Sequence, residues 1–187
     1  MRETHRDQER RLAGSLLLLG FALLLLAGIL FGLGAERSLA LQQPQSIALA
    51  AGLVITLLGL VAFEFVFEEG IERVLARLGT IAFLVGAVLF MVGDGIALSG
   101  GQFVFEFERD YVVLACAAIA LVGAAIVRAA VLRVWVGWMA IAWGIVFAAL
   151  YLARLVEAPL GPNLMTGLFG LFLLSRPLPA SVRRRPG

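Results

Sequence analysis

Lysine is absent from this 187-residue chain; all fifteen of its basic residues are arginine. Without an amine side chain there is no Schiff-base site for retinal or pyridoxal phosphate, no phosphate-cradling P-loop and no lysine nucleophile. Histidine occurs once, as His5 in the polar N-terminal segment. Haem ligation inside a bundle and serine-type triads both need a histidine at the reacting centre, so neither can be built. Cysteine also occurs once. Cys116, set among alanines, excludes an intrachain disulfide and a cysteine-based metal site, and reads as a small buried hydrophobe. The single asparagine, Asn163, is followed by Leu164-Met165 and forms no glycosylation sequon. These absences lead us to expect no cofactor, no bound metal and no enzymatic activity. Arginine without lysine, beside abundant Ala, Gly and Leu, points to a GC-rich bacterial gene.

Charge is scarce as well. Only 15% of residues are charged and 61% are hydrophobic, against about 25% and roughly 45–50% in soluble domains. Mean hydropathy is +1.00. This composition excludes a water-soluble domain and a disordered chain and leaves an all-α, polytopic membrane protein. A spanning helix needs about 20 apolar residues, and six segments approach that length: 12–33, 47–67, 78–98, 111–127, 134–152 and 160–174. They predict a six-helix transmembrane bundle forming a single integral domain over 1–187, with basic termini at 1–11 and 177–187. The last segment is short and needs help from Leu155-Val156 or an interfacial placement. Gly161-Pro162-Asn163 reads as its start, since proline suits a first helical turn. The first apolar run is too long for the roughly 7–15-residue core of a signal peptide, so it is expected to be retained.

Arginine placement orients the spans. Twelve arginines fall in the N-terminal segment, the second and fourth loops and the C-terminal tail; Arg37, Arg109 and Arg154 fall on the other side. The positive-inside rule then puts both termini in the cytoplasm, in a bacterial inner membrane. Arg183, Arg184 and Arg185, with Arg176 and the N-terminal arginines, suit anionic lipid headgroups. Nucleic acid is not an expected partner, because no folded part outside the membrane presents those charges.

Small residues recur at fixed spacing. Gly79, Ala82 and Gly86 in the third segment match Gly137, Ala140 and Gly144 in the fifth, 58 residues later. Positions i, i+3 and i+7 lie within about 60° on a helix. Gly52 to Gly59 and Cys116 to Gly123 repeat the seven-residue step, so segments two–three and four–five look like two copies of one hairpin. Such seams let helices approach closely in lipid, where packing must replace a hydrophobic drive. Packing is the preferred reading; a duplication of the transporter type is the alternative. Gly28 and Gly32 in the first segment form a further close-contact signal that suits a partner helix.

Two carboxylates fall inside the predicted spans. Glu64 lies about 5 Å from the cytoplasmic end of its span and Asp94 about 6 Å from the outer end of its own, in opposite leaflets. The simplest reading of each is an interfacial carboxylate in headgroup water or paired with arginine; the functional reading is a proton or ion site. Gly93-Asp94-Gly95 favours local unwinding around Asp94. Glu64, Glu68 and Glu72 would share an acidic face if their helix continued, and Glu69 can pair with Arg73. Phe103-Val-Phe-Glu-Phe-Glu108 alternates with period two, which predicts an extended outer-loop segment placing Phe103, Phe105 and Phe107 on one side, as a cap or a docking surface. Trp135, Trp138 and Tyr151 suit aromatic belts, and Trp143 suits packing.

These features favour an accessory or scaffold subunit of a membrane complex, partnered by lipid and by another membrane protein or further copies of itself. The alternative is a small transporter or channel for protons or small molecules that uses Asp94 and Glu64.

Overall fold

The computed structural model describes residues 2–33, 39–99, 105–156 and 159–175. Among them are six helices: α1 (Arg2–Gly32), α2 (Leu39–Glu64), α3 (Ile71–Leu98), α4 (Phe105–Ala129), α5 (Val134–Leu152) and α6 (Asn163–Ser175). The first five are long and apolar enough to cross a membrane. α6 has 13 residues, so it is ~20 Å long and falls short of a ~30 Å hydrocarbon core.

Local chemistry sets the helix ends. α2 starts at Leu39, well ahead of the predicted Ile47, with Pro44 inside it. Proline there removes one hydrogen bond near the start without ending the helix. α2 stops at Glu64, and residues 65–70 form a turn, so Glu68 and Glu72 do not extend an acidic face from Glu64 as expected. Gly70, at φ 152° and ψ −167°, takes a conformation open to glycine and sets the first turn of α3 at an angle to α2. Arg73 secures this turn by donating two hydrogen bonds to the Phe67 carbonyl, at 3.2 and 2.7 Å. α3 then runs unbroken through Gly93-Asp94-Gly95 to Leu98, so the helix is not unwound at Asp94. The period-two segment is also not extended where it is described: Phe105 to Glu108 begin α4. Acidic residues suit the positive N-terminal end of a helix, and Glu106 and Glu108 occupy that first turn. Phe103 lies outside the described residues, as do Arg183, Arg184 and Arg185.

Packing arranges the helices in two groups of three. α1 lies between α2 and α6, and α4 lies between α3 and α5; α2 and α3 approach much less closely than these pairs. The glycines make the close pairs possible. A Cβ on Gly52 would meet Leu24 at 2.8 Å and one on Gly59 would meet Leu17 at 2.9 Å, while Gly170 faces the Gly14 carbonyl at 2.8 Å. In the other group, a Cβ on Gly79 would lie 2.8 Å from the Ala118 carbonyl, and one on Gly86 would lie 3.1 Å from Leu114. Gly123 and Gly137 face each other's carbonyls at 2.7 and 2.6 Å, and Gly144 faces the Cys116 carbonyl at 2.6 Å. Ala140 is fully buried on the same seam, whereas Ala82 is half-buried at the core's edge. The glycines of α2 therefore serve α1 and those of α3 serve α4, so close packing follows the expected pairing for α4 and α5 but not for α2 and α3. Among the described residues, Gly28 has only Leu160 within reach, at 3.6 Å, and Gly32 has nothing within 4 Å.

Aromatic side chains and polar contacts fill and join the groups. Phe63 of α2 meets Phe169 of α6 at 6.2 Å. Tyr111 of α4 stacks on Phe90 of α3 at 4.7 Å, with Phe83 edge-on at 6.4 Å. α6 bridges the groups: Phe172 lies edge-on to Trp135 of α5 at 5.3 Å, and Asn163 donates to the Tyr111 hydroxyl at 2.7 Å.

Candidate functional site

Arginine ties the helices together at one end of the bundle. The buried Arg10 of α1 donates to the Phe172 carbonyl in the last turn of α6, at 3.4 Å. A cation there satisfies a terminal carbonyl and complements the negative end of the helix. This contact places the start of α1 beside the end of α6. Glu64, only 7% exposed, pairs with Arg77 at 3.3 Å across the α2–α3 turn. Arg73 reaches Glu69 at 3.7 Å, and Arg128 of α4 reaches Glu72 of α3 at 3.7 Å. Glu64 is thus a brace between two helices. Asp94 lies 23 residues further along α3 than its start at Ile71, which is ~35 Å away. It is half-buried at the far end. Glu64 and Asp94 are therefore not brought together.

The far end holds a polar line that sequence reading did not find. Tyr151 of α5 donates to the Glu108 carboxylate of α4 at 2.5 Å. Tyr111, one turn further along the same face of α4, is fully buried and accepts from Asn163. Asn163 is 1% exposed, and its carbonyl Oδ1 has no hydrogen-bond partner among the described residues. Its backbone carbonyl accepts from Thr166 Oγ1 at 2.7 Å. Trp143 of α5, stacked on Phe147, donates from Nε1 to the Gly161 carbonyl at 3.3 Å. Phe107 is half-buried beside this line on α4.

The α6 N-terminus starts below the end of its neighbour. Gly161 packs against Phe147 and accepts from Trp143, which lie five and nine residues before the end of α5 at Leu152. Those offsets correspond to ~8 and ~14 Å of helix, and helical side chains lean towards their own N-terminus. Helix lengths lead to the same place. α5 has 19 residues and α6 has 13, and the Trp135–Phe172 contact aligns them at the basic end. Measured from that contact, α5 runs 17 residues on to Leu152 and α6 runs 9 back to Asn163, so α6 begins ~12 Å short of the far end. In a bilayer, non-helical backbone at such a depth is tolerated where it is buried in protein or lines a hydrated cavity.

The signals for this site were present but faint. They were the lone asparagine, the proline before it and the shortness of the last apolar run. Tyr111 and Asn163 are 52 positions apart, so no local pattern couples them. Among the described residues, no group of three or more His, Cys, Asp or Glu side chains is placed to hold a metal. An open groove between α1 and α2, lined by Leu12, Leu16, Leu58, Val61 and Phe65, is almost wholly apolar and brings no reactive groups together. No protein-family model, curated protein or solved structure matches the chain.

Proposed function

We propose that this chain is a non-catalytic subunit of a membrane complex, with both termini in the cytoplasm of a bacterial inner membrane and the outward face of α3 as its docking surface. The orientation draws on the arginine asymmetry and on the Arg10–Phe172 contact, which sets the two described ends side by side.

The observation that carries the docking role is a ridge on α3. Ile71, Val74, Leu78, Ile81, Val85, Val88 and Val92 are all between 44% and 56% exposed. Their spacing alternates three and four residues along the length of the helix, which is the geometry of a knobs-into-holes seam. Six of the seven are β-branched, with stiff side chains that lose little freedom on packing. The outward face of α1 is different: Leu12, Leu19, Leu25 and Leu26 are flexible, and Ile29 is the one β-branched member of its exposed large hydrophobics. The occupant that fits the ridge is one apolar transmembrane helix of a partner protein, with small residues facing the β-branched row.

The test is purification from native membranes in mild detergent. A Val85→Trp, Val88→Trp variant should lose at least tenfold of the protein that co-purifies with wild type. A Leu19→Trp, Leu26→Trp control on α1 should retain it, and both should unfold at the wild-type temperature. Equal retention by both variants, or a wild-type chain that always emerges alone, would contradict the docking role.

A second reading, a small transporter or channel, draws support from the short α6 and its buried polar start, because unusually short hydrophobic segments can flank transport sites. Glu64, paired with Arg77 and remote from Asp94, lends it little.

A further inference from the structure

We infer that Asn163 and Tyr111, at the recessed start of α6, form a binding site for one small neutral hydroxyl-bearing molecule, of which water is the smallest.

The unpartnered amide carries the inference. Asn163 Nδ2 donates to the Tyr111 hydroxyl at 2.7 Å, while Oδ1 is left without a partner at a residue 1% exposed. Turning the amide over would let the tyrosine donate to Oδ1 and put the NH₂ at the position Oδ1 now holds. As placed, the amide oxygen lacks a partner among the described residues, and a buried polar group without one costs about 1–3 kcal/mol. Native interiors rarely accept that cost when a bound molecule can remove it.

The surroundings select the ligand class. An anion would call on free backbone N–H groups at the start of α6, but these are in use. Asn163, Leu164 and Met165 donate to the Leu160, Gly161 and Pro162 carbonyls at 3.0, 3.2 and 3.2 Å. A cation would need a carboxylate in contact, and Glu108 is already engaged by Tyr151 one turn nearer the far end. The ring that carries the Tyr111 hydroxyl is held between Phe90 and Phe83, where an unpaired charge would be poorly solvated. A hydroxyl group both donates and accepts, so it can complement Asn163 in either orientation while bonding the Tyr111 oxygen. Depth agrees with a hydrated site, because the start of α6 lies ~12 Å below the end of α5.

Hydroxyl-radical footprinting of the full chain in nanodiscs, with radicals generated by X-ray pulses, tests this directly. A bound water becomes a radical source and oxidises the side chain it touches. Tyr111, Phe83 and Phe169 are all 0% exposed, so without a bound molecule all three should resist equally. We expect Tyr111 to be oxidised at least tenfold faster than the two phenylalanines. Asn163→Leu should bring it down to their rate, and Asn163→Ser, which keeps a hydroxyl partner, should preserve most of the labelling. Glycerol scavenges radicals and lowers every rate, so the occupants are distinguished by ratio: protection of Tyr111 beyond that of Phe83 and Phe169 identifies a site that accepts polyols, and an unchanged ratio identifies one restricted to water. Wild-type Tyr111 as inert as Phe83 would overturn the inference, as would labelling indifferent to both Asn163 substitutions.

Discussion

Replacing Gly137 with leucine should leave no folded bundle to purify, and replacing it with alanine should destabilise the chain by about 1–3 kcal/mol. The cause is backbone proximity. A Cβ on Gly137 would lie 2.6 Å from the Gly123 carbonyl oxygen, 2.7 Å from Val127 Cγ2 and 3.0 Å from the Val127 nitrogen. Two of these three neighbours are backbone, which cannot rotate away, so α4 and α5 must separate along the seam. Gly123→Ala meets the same obstacle from the other side, with the Gly137 carbonyl 2.7 Å away. Because the two share one contact, the double variant should cost less than the sum of the singles. Gly32→Ala and Gly95→Ala provide the contrast. No described residue lies within 4 Å of either added methyl group, so helix propensity acts and favours alanine by up to about 1 kcal/mol. Thermal unfolding in detergent, followed by circular dichroism, separates the two classes. Equal effects at Gly137 and Gly32 would contradict the packing described.

Arg77→Ala should destabilise the chain by about 1–3 kcal/mol, and adding Glu64→Gln should recover most of that loss. The asymmetry of the pair explains the direction. The Arg77 side chain is 62% exposed and can hydrate itself, whereas the Glu64 side chain is 9% exposed. The attraction between a half-hydrated pair is modest. The penalty arises because removing the arginine strands a carboxylate in the turn between α2 and α3. Glutamine in place of Glu64 removes the charge and keeps hydrogen-bonding capacity, so Glu64→Gln alone should be milder than Arg77→Ala. Denaturation midpoints of the two single variants and the double give the coupling directly. If Arg77→Ala matched wild type, Glu64 would not depend on its partner.

The ease of reading this fold from sequence varied with how local each cause is. α5 matches its expected bounds, 134–152, because Arg133 and Arg154 flank an unbroken apolar run. Glycine spacing located the close-contact faces but could not say which neighbour each would meet. Gly79 and Gly86 lie against α4 and Gly52 and Gly59 against α1, a choice made by the whole bundle. The alternation from Phe103 to Glu108 is too short to distinguish a strand from a helix start. The deciding signal was available, since two glutamates suit a first helical turn. The polar start of α6 was the least legible feature. Its depth depends on Trp143 and Phe147 of a different helix, and its partner Tyr111 comes from two helices earlier. A short apolar run indicates that something is unusual, but it does not indicate where in the bilayer the helix begins.

The central claim is that the β-branched face of α3 meets a protein helix where the leucine face of α1 meets lipid. Site-specific photo-crosslinking in native membranes tests it most directly, with a diazirine amino acid placed singly at Val85 or Val88 on α3 and at Leu19 or Leu26 on α1. The expected result is one discrete protein adduct of the same mass from both α3 positions, with only lipid adducts from α1. Lipid adducts alone from all four positions would contradict it.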